Sequence, residues 1–283
     1  MRVASTPYGP IEYQLTGAGP VVMVLKGGHC SRSTKLGHER LANEGFAVLE
    51  ASRPGYDSTP PTVGPTARGA ADALVALLDV LEIPSASLIA ISAAGHTGIE
   101  LARRHPDRIG RVSFESAMAL PFDPMLRRGG RVLFGPLQGL VWRGTRLGLR
   151  VAPDLTLRLE LSQVSSLDAS RLVRGLDATV REQYLEMYRS LWSGHGFVLD
   201  LQHVSPGDDP IEQPALIIRS TNDSSVPAEH AARLAALCRS HESLDVDAES
   251  HFIWFGRAAD EVWRRRLAFL RTSAGPSPAP SAG

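Results

Sequence analysis

The sequence contains little cysteine and almost no lysine. Its two cysteines, Cys30 and Cys238, lie far apart without CxxC spacing, a pattern that indicates neither a disulfide framework nor a zinc site. Lysine occurs only at positions 26 and 35, so arginine supplies nearly all of the positive charge. The 30 basic and 30 acidic residues cancel, and a chain without net charge lacks the positive field that phosphate-backbone binding usually needs. We therefore expect no nucleic-acid partner.

Long apolar runs are missing as well. No run of about 18 apolar residues occurs, and the first fifteen residues, MRVASTPYGPIEYQL, lack the apolar stretch of a signal peptide. These absences predict a cytoplasmic protein without a membrane partner. Motifs of the GxxxxGKS/T, HExxH and strand-linked GxGxxG types are also absent. We accordingly expect no cofactor and no metal ion.

Short apolar runs alternate with longer stretches of helical period, and this alternation predicts an α/β fold with parallel strands joined by crossover helices. Predicted strands cover residues 21–25, 47–51, 86–91, 111–115, 215–219 and 243–246, and predicted flanking helices cover 68–81, 93–104, 228–238 and 258–270. The alternation stops near residue 118 and resumes near 207, leaving a block with helical patches at 168–180 and 181–192. We therefore expect a core formed by 1–117 and 207–271, a helical cap at 118–206, and a disordered tail at 272–283 because that tail holds only small residues and proline.

Ser92 stands where a predicted apolar strand runs directly into a predicted helix. Its neighbours at minus two and plus two, Ala90 and Ala94, are small, as a nucleophile on a strained strand-to-helix turn requires. The start of the following helix also offers free backbone N–H groups. A serine that merely caps the helix is the plainer alternative.

Five segments resemble the α/β-hydrolase superfamily, and together they extend from about Gly17 to Gly256 apart from the cap. VVMVLKGGHCS is similar to the family's strand and oxyanion loop, FAVLEASRPGYDSTP to its next strand and turn, and SAAGHTGIELARRHPDRI to its nucleophile elbow. PALIIRSTNDSSVPAEHAARL and ESHFIWFG resemble its acid and histidine segments. The resemblance implies a mostly parallel eight-stranded sheet, flanked by helices and carrying an inserted helical cap.

The same resemblance implies a catalytic triad. Ser92 would be the nucleophile, His251 the general base, and Asp223 the acid that orients the imidazole. His251 follows the acid in the order Ser, Asp, His that this fold requires. The alternative for Asp223 is a turn aspartate that caps the next helix.

Two backbone N–H groups are expected to form the oxyanion hole. Ala93 follows the nucleophile directly, and the resemblance implies Gly28 as the second donor, with His29 beside it. The sequence departs from the family at Lys26, where a histidine usually precedes the glycine pair. Lys26 either supports the loop, which we favour, or acts as a functional cation.

The cap is expected to decide substrate choice. His29 and four cap residues are candidates for the pocket lining, although each could simply pack the cap onto the core: Phe122, Phe134, Trp142 and Trp192. From Arg127 to Arg150 the sequence has six arginines and no acid, which favours either an anion site or a solvated helix face.

Hydrolysis of a small ester, lactone or thioester with an apolar acyl group, by a monomer or homodimer, is the function these features favour. Three alternatives stay open: carbon–carbon bond hydrolysis, lyase or cyclase chemistry on the same triad, and a ligand-binding protein without catalysis.

Overall fold

The computed structural model describes residues 2–272 of the chain. Eight strands form one sheet: β1 (Arg2–Thr6), β2 (Gly9–Gly17), β3 (Val21–Leu25), β4 (Ala47–Ala51), β5 (Ala86–Ile91), β6 (Ile109–Glu115), β7 (Ala215–Ser220) and β8 (His241–Val246). Apart from Thr272, the tail for which disorder was predicted lies outside the described residues.

The sheet has the order β1-β2-β4-β3-β5-β6-β7-β8. The β1–β2 and β2–β4 pairs are antiparallel, and every pair from β4 to β8 is parallel. This arrangement confirms the predicted mostly parallel, eight-stranded sheet. The carboxyl ends of β5, β6, β7 and β8 consequently lie next to one another.

Ten α-helices occur in the described residues: α1 (Ala67–Val80), α2 (Gly95–Arg104), α3 (Pro124–Leu133), α4 (Gln138–Val151), α5 (Pro153–Leu161), α6 (Ala169–Gly175), α7 (Ala178–Ser190), α8 (Gly196–Asp200), α9 (Ala228–Leu237) and α10 (Ala259–Arg271). The four predicted flanking helices correspond to α1, α2, α9 and α10. The six helices α3–α8 all lie between β6 and β7, in the block where a cap was predicted.

The helical patch predicted at 168–180 is divided between two helices. Its residues belong to α6 and α7, which are separated because Leu176 is extended and Asp177 starts α7 by accepting a hydrogen bond from the Val180 N–H. Periodicity alone would continue one helix through this segment, whereas the N-cap at Asp177 begins a second helix there.

Two apolar clusters cover the two faces of the sheet. Alternation along β3 sends Met23 and Leu25 to one cluster and Val22 and Val24 to the other, which explains why strands of the parallel part are almost continuously apolar. The second cluster also contains Trp142 and Tyr184. The helical insertion therefore shares its core with one face of the sheet.

Candidate active site

Ser92 occupies a sharp turn at the end of β5. It has a φ of +50°, a strained value for a residue with a side chain, and a single 3-10 turn, Ser92–Ala94, separates it from α2. Close packing demands small neighbours here. A Cβ on Gly98 would lie 2.6 Å from Ala90 Cβ, and one on Gly95 would lie 2.0 Å from the Met118 carbonyl oxygen. Sequence reasoning found Ala90 and Ala94 but did not find Gly98.

Asp223 and His251 follow β7 and β8, and their side chains are joined. His251 Nδ1 lies 2.6 Å from Asp223 Oδ2, and only 1% of the Asp223 side chain and 7% of the His251 side chain are exposed. Asp223 Oδ1 accepts the N–H groups of Ser225 and Val226. One carboxylate oxygen therefore holds the turn while the other faces the imidazole, so the contacts fit both of the roles considered for this aspartate.

The pKa of Asp223 reflects this environment. Burial would raise the pKa of the carboxyl, but the charge and hydrogen bond of His251 oppose burial, and so do the N–H groups of Val226 and Ser225. Together they hold the pKa of Asp223 below its ordinary value. Asp223 is therefore ionised at neutral pH and able to hold the Nδ1–H tautomer of the imidazole.

The segment after β6 fixes the backbones of both Ser92 and His251. The Ser116 hydroxyl donates to the His251 carbonyl at 3.0 Å, and the Met118 N–H donates to the Ser92 carbonyl at 2.9 Å. Within residues 2–272, no hydrogen bond joins the Ser92 hydroxyl to His251 Nε2. The structure thus brings the two residues to one end of the sheet and leaves both reactive atoms unengaged.

A second connection runs from the helical insertion. Residues 163–166, between α5 and α6, make four hydrogen bonds to the loops of Asp223 and His251, and we call this segment the α5–α6 strap. Two bonds hold the loop of His251: the His251 N–H donates to the Val164 carbonyl, and the Ser165 hydroxyl donates to the Glu249 carbonyl. Two more hold the loop of Asp223: the Ser166 N–H donates to the Asn222 carbonyl, and the Ser224 hydroxyl donates to the Gln163 carbonyl. The strap therefore holds the two loops in a fixed relation. Sequence reasoning missed it.

Aromatic residues after His251 anchor its loop in the core. Trp254 Nε1 donates to Glu115 Oε2 at 2.5 Å, and Arg266 also pairs with Glu115 at 2.6 Å. Phe255 packs edge-on against Tyr184 with ring centroids 5.3 Å apart. The histidine loop is thus held from both the sheet and the insertion.

The glycine pair after β3 packs directly on the Ser92 turn. A Cβ on Gly27 would lie 2.8 Å from Ser92 Cβ, and one on Gly28 would lie 3.6 Å from Ala93 Cβ. The N–H groups of Gly28 and Ala93 donate no hydrogen bond to any of residues 2–272. Both N–H groups are therefore free to donate to a bound oxygen, and the oxyanion hole formed by Gly28 and Ala93 stays a prediction.

Lys26 supports the glycine loop through contacts of its buried ammonium group. It is buried, and its ammonium lies 2.7 Å from Glu50 Oε1 and also donates to the Arg32 carbonyl. Arg53 Nε donates to the Lys26 carbonyl at 2.8 Å. These contacts favour loop support over a free functional cation at the position where the family usually has histidine.

An aromatic cluster covers Gly28, and we define it as His29, Phe134, Trp142 and Phe197. The His29 ring lies 3.7 Å from Phe197, 4.3 Å from Phe134 and 5.2 Å from Trp142, measured between centroids. A Cβ on Gly28 would meet the Phe197 ring at 2.8 Å. Phe197, which sequence reasoning missed, is therefore the side chain that a Cβ on Gly28 would meet first.

The other pocket candidates lie at the margin of this cluster. Phe122 contacts Phe197 edge-on at 6.0 Å. Trp192 donates its backbone N–H to the His29 carbonyl, but the residue is 41% exposed and its ring lies beside Arg146. Trp192 is thus a backbone neighbour of the site rather than a member of the aromatic cluster.

His29 is kept neutral by its surroundings. Burial lowers its pKa to about 3, although the charge of Asp200 acts in the opposite direction. Its Nδ1 lies 2.8 Å from Ser193 Oγ, which also accepts the Trp142 Nε1–H. A neutral imidazole can accept the serine hydroxyl hydrogen, so Ser193 links the two rings.

Helix α8 carries Phe197 and is tied to the core at its last residue. Both Asp200 oxygens pair with the Arg53 guanidinium, and the Tyr56 hydroxyl donates to Asp200 Oδ2 at 2.6 Å. The Gly55 carbonyl accepts the N–H groups of His195 and Gly196, both at 2.9 Å. Arg53 therefore connects the glycine loop, through the Lys26 carbonyl, with the helix that covers it.

His96, four residues after Ser92, has a structural role. Its side chain is buried, and its Nε2–H donates to the Leu120 carbonyl at 3.2 Å. His230 Nδ1 accepts the Ala119 and Leu120 N–H groups from the other side. The chain that leaves the sheet toward α3 is therefore held between two histidines at Leu120.

A surface cavity of about 340 Å³ lies elsewhere, between α6 and the residues around Glu249 and Arg257. None of Ser92, Gly28 and His251 lines it. Among residues 2–272, no cluster of His, Cys, Asp or Glu side chains is placed to hold a metal ion. None of the helices in the same range is long and apolar enough to cross a membrane.

Comparisons with known proteins agree with this architecture. The model of a family described as alpha/beta hydrolase fold matches residues 33–258. The chain is 31% identical over 278 residues to the uncharacterized hydrolase YcgS of Bacillus subtilis (strain 168), covering 93% of this chain and 96% of that one. It is 24% identical over 233 residues to the 2-hydroxy-6-oxo-6-phenylhexa-2,4-dienoate hydrolase of Burkholderia cepacia, covering 78% of this chain and 77% of the relative.

A solved structure is similar throughout. The alpha/beta hydrolase fold protein from Nakamurella multipartita superposes with a TM-score of 0.81 at 26% identity, covering 95% of this chain and 98% of that one.

Proposed function

The chain belongs to the α/β-hydrolase family and is a hydrolase, and from this premise we propose that it cleaves small carboxylic esters, lactones or thioesters through an acyl-enzyme on Ser92. The observation that carries the proposal is the hydrogen bond between Asp223 and His251, 2.6 Å long, at the end of the sheet where Ser92 takes its strained turn. A serine hydroxyl needs such a base to become a nucleophile near neutral pH.

In the proposed reaction, His251 Nε2 takes the Ser92 proton as the oxygen attacks the carbonyl carbon. Asp223 holds Nδ1–H and stabilises the imidazolium that forms, without itself becoming protonated. The imidazolium then gives its proton to the leaving oxygen or sulfur, and the acyl group stays on Ser92. His251 next takes a proton from water, which attacks the acyl carbon. The bond between that carbon and Ser92 Oγ then breaks, the imidazolium returns its proton to Oγ, and the carboxylic acid leaves.

Charge developing on the carbonyl oxygen would be stabilised by the N–H groups of Gly28 and Ala93. Each such donor commonly contributes about 3 kcal/mol to the transition state. The backbone of the glycine loop is held by Lys26 and Arg53, which supports a preorganised arrangement that need not rearrange during the reaction.

The acyl group is proposed to be apolar. The aromatic cluster over Gly28 offers ring faces and only a neutral imidazole, which favours hydrocarbon over charged groups. Helices α3–α8 would act as the cap that selects the substrate, over the range 118–206. Cytoplasmic location and a monomeric or homodimeric state stay part of this proposal.

A panel of p-nitrophenyl esters of increasing chain length, with a lactone and a thioester, tests the reaction type. The wild type should release p-nitrophenol or free thiol, and Ser92→Ala should release either one slower by several powers of ten. Turnover of every ester by Ser92→Ala at the wild-type rate would overturn the proposal.

Carbon–carbon hydrolysis is a second candidate, favoured by the similarity to the dienoate hydrolase of Burkholderia cepacia. The products of the two reactions distinguish carbon–carbon hydrolysis from ester hydrolysis. A 2-hydroxy-6-oxo-dienoate loses its conjugated absorbance when the bond between its carbons is cleaved, whereas ester hydrolysis releases an alcohol. Faster turnover of the dienoate than of any ester would assign the chain to the second reaction.

A further inference from the structure

Helices α3 and α4 expose an unusual surface. Half of the large apolar side chains that are exposed among residues 2–272 lie between 125 and 151, including Met125 at 82%, Leu140 at 72% and Val151 at 73%. Helix α3 has no buried residue. Exposed apolar side chains concentrated in one segment in this way usually mark an interaction site.

Most of the arginines on the same helices have side chains without a partner. Arg146 donates to the Arg189 and Leu191 carbonyls. Among the described residues, the guanidinium groups of the other five make no hydrogen bond or ion pair: Arg127, Arg128, Arg131, Arg143 and Arg150. Exposed arginines elsewhere commonly pair with an acid, as Arg239 does with Glu212 and Arg265 with Glu242. No acidic residue occurs from 124 to 151, and Asp123 just before them accepts two N–H groups of α3.

Spacing in α4 puts both residue types on one side of the helix. Five exposed residues of α4 are spaced so that they lie on the same helical face: Leu140, Arg143, Leu147, Arg150 and Val151. Trp142 and Leu149 are buried on the other side. The outward face therefore alternates large apolar and cationic side chains.

We propose that this face, formed by the exposed side chains of α3 and α4, docks on the surface of an anionic lipid bilayer. Helices with leucines and arginines on the exposed side lie in the bilayer interface, with apolar groups among the acyl chains and cations at the headgroups. A second copy of this chain is a poor occupant, because a twofold contact would set arginine against arginine without any acid. An acidic protein would satisfy the charge but leaves the protruding leucines unexplained.

This docking differs from spanning a membrane, and it would overturn the expectation from the sequence that the chain has no membrane partner. It does not depend on the proposed hydrolysis. Phe134 and Trp142, at the end of α3 and within α4, pack on His29 beside Gly28. The face is therefore continuous with the covering of the candidate active site.

Vesicle co-sedimentation tests the proposal. The Ser92→Ala chain, which leaves lipids intact, is mixed with vesicles of phosphatidylglycerol and phosphatidylcholine in equal parts, or of phosphatidylcholine alone. We expect binding to the anionic vesicles only, weakened by added salt. Each arginine at an anionic surface strengthens binding about fivefold, so Arg143→Gln/Arg150→Gln should weaken partitioning roughly thirtyfold.

Matched variants separate the face from general charge and hydrophobicity. Leu140→Ser/Leu147→Ser should also release the chain, whereas Arg2→Gln/Arg264→Gln and Val3→Ser/Val80→Ser, which change exposed residues elsewhere, should bind like the parent. Circular dichroism melting shows that each variant is folded.

Three results would overturn the proposal. The first is failure of the parent to bind anionic vesicles, and the second is binding that the leucine variant does not weaken. The third is a dimer, seen by light scattering, that the leucine variant dissociates, because this would assign the face to a second copy. Loss of esterase activity would leave the docking result unaffected, so the two proposals fail independently.

Discussion

His251 Nδ1 and Asp223 Oδ2 lie 2.6 Å apart, in a pair whose side chains are almost completely shielded from solvent. Charged hydrogen bonds of this length are strong, and the carboxylate fixes which imidazole nitrogen carries the proton. The pair is therefore arranged to present a basic Nε2.

Replacing Asp223 by asparagine should lower kcat by about 10⁴, the loss seen when the acid of a triad is neutralised in other enzymes. The amide keeps the shape of the side chain but no longer stabilises an imidazolium. Steady-state kinetics on the best ester measures the effect. Asp245→Asn, at an exposed ion pair with Arg219, is the control and should keep its rate; an Asp223→Asn variant as fast as this control would count against the assigned role.

Ser165→Ala should lower kcat about tenfold, the equivalent of one hydrogen bond. The Ser165 hydroxyl donates to the Glu249 carbonyl at 2.6 Å and accepts the Leu167 N–H, so its loss loosens the α5–α6 strap on the histidine loop. Ser162→Ala removes an exposed hydroxyl that donates to the Leu159 carbonyl and accepts the side-chain amide of Gln163. It leaves the four hydrogen bonds of the strap in place and should be silent.

A double-mutant comparison of kcat distinguishes positioning by Ser165 from general destabilisation. If Ser165 acts by positioning His251 against Asp223, its effect on kcat should disappear in an Asp223→Asn background. An equal loss in both backgrounds would mean that Ser165 has only a structural role.

Gly28→Ala should reduce kcat/KM, because the new Cβ would lie 2.8 Å from the Phe197 ring and push the glycine loop away from Ser92. Gly110→Ala, where an added Cβ meets nothing within 4 Å, is the matched control. Adding Phe197→Ala to Gly28→Ala should restore part of the activity. A double variant no better than Gly28→Ala would show that the collision with Phe197 is not the cause.

Acid should weaken the fold through His96 and His230, which hold Leu120 from both sides. Burial lowers the pKa of His96 to about 4 and also lowers the pKa of His230. In the unfolded chain a histidine titrates near its ordinary 6.5, so the unfolded state takes up protons first as the pH falls. The stability due to these neutral imidazoles is therefore present above pH 6.5 and is lost between 6.5 and the folded pKa.

For His96 this linkage amounts to about 2 kcal/mol of unfolding free energy between pH 7 and pH 5. Urea unfolding at the two pH values measures it. His96→Gln should show a smaller difference between them than the wild type, and His241→Gln, at an exposed position of β8, should not. An unchanged difference in His96→Gln would contradict the linkage.

Burial decided which strands could be predicted from the sequence. Strands β3, β5 and β7 are covered on both faces, so their sequences are almost continuously apolar and stand out. Strand β2 (GPIEYQLTG) pairs antiparallel near the sheet edge and mixes polar with apolar residues, and it was missed together with β1. Propensity also failed for α3 and α4, where two and three glycines lower the helix propensity of the sequence.

Some residues of the candidate site could be predicted from the sequence and others could not. Ser92 was found because the elbow is local, with strand, turn and small neighbours all contiguous in sequence. Phe197 and Ser165 were missed because their roles arise from contacts with residues more than eighty positions away, and neither the five-residue helix α8 nor the α5–α6 strap has a local signature. Long-range contacts of this kind follow from tertiary packing rather than from spacing.

The proposed activation of Ser92 by His251 is tested most directly by active-site labelling with a fluorophosphonate probe. Intact-mass and peptide analysis should show one adduct, on Ser92, that is abolished in Ser92→Ala and strongly slowed in His251→Ala, while Ser31→Ala labels like the wild type. Adduct formation on another serine, or undiminished labelling of folded Ser92→Ala, would contradict the account.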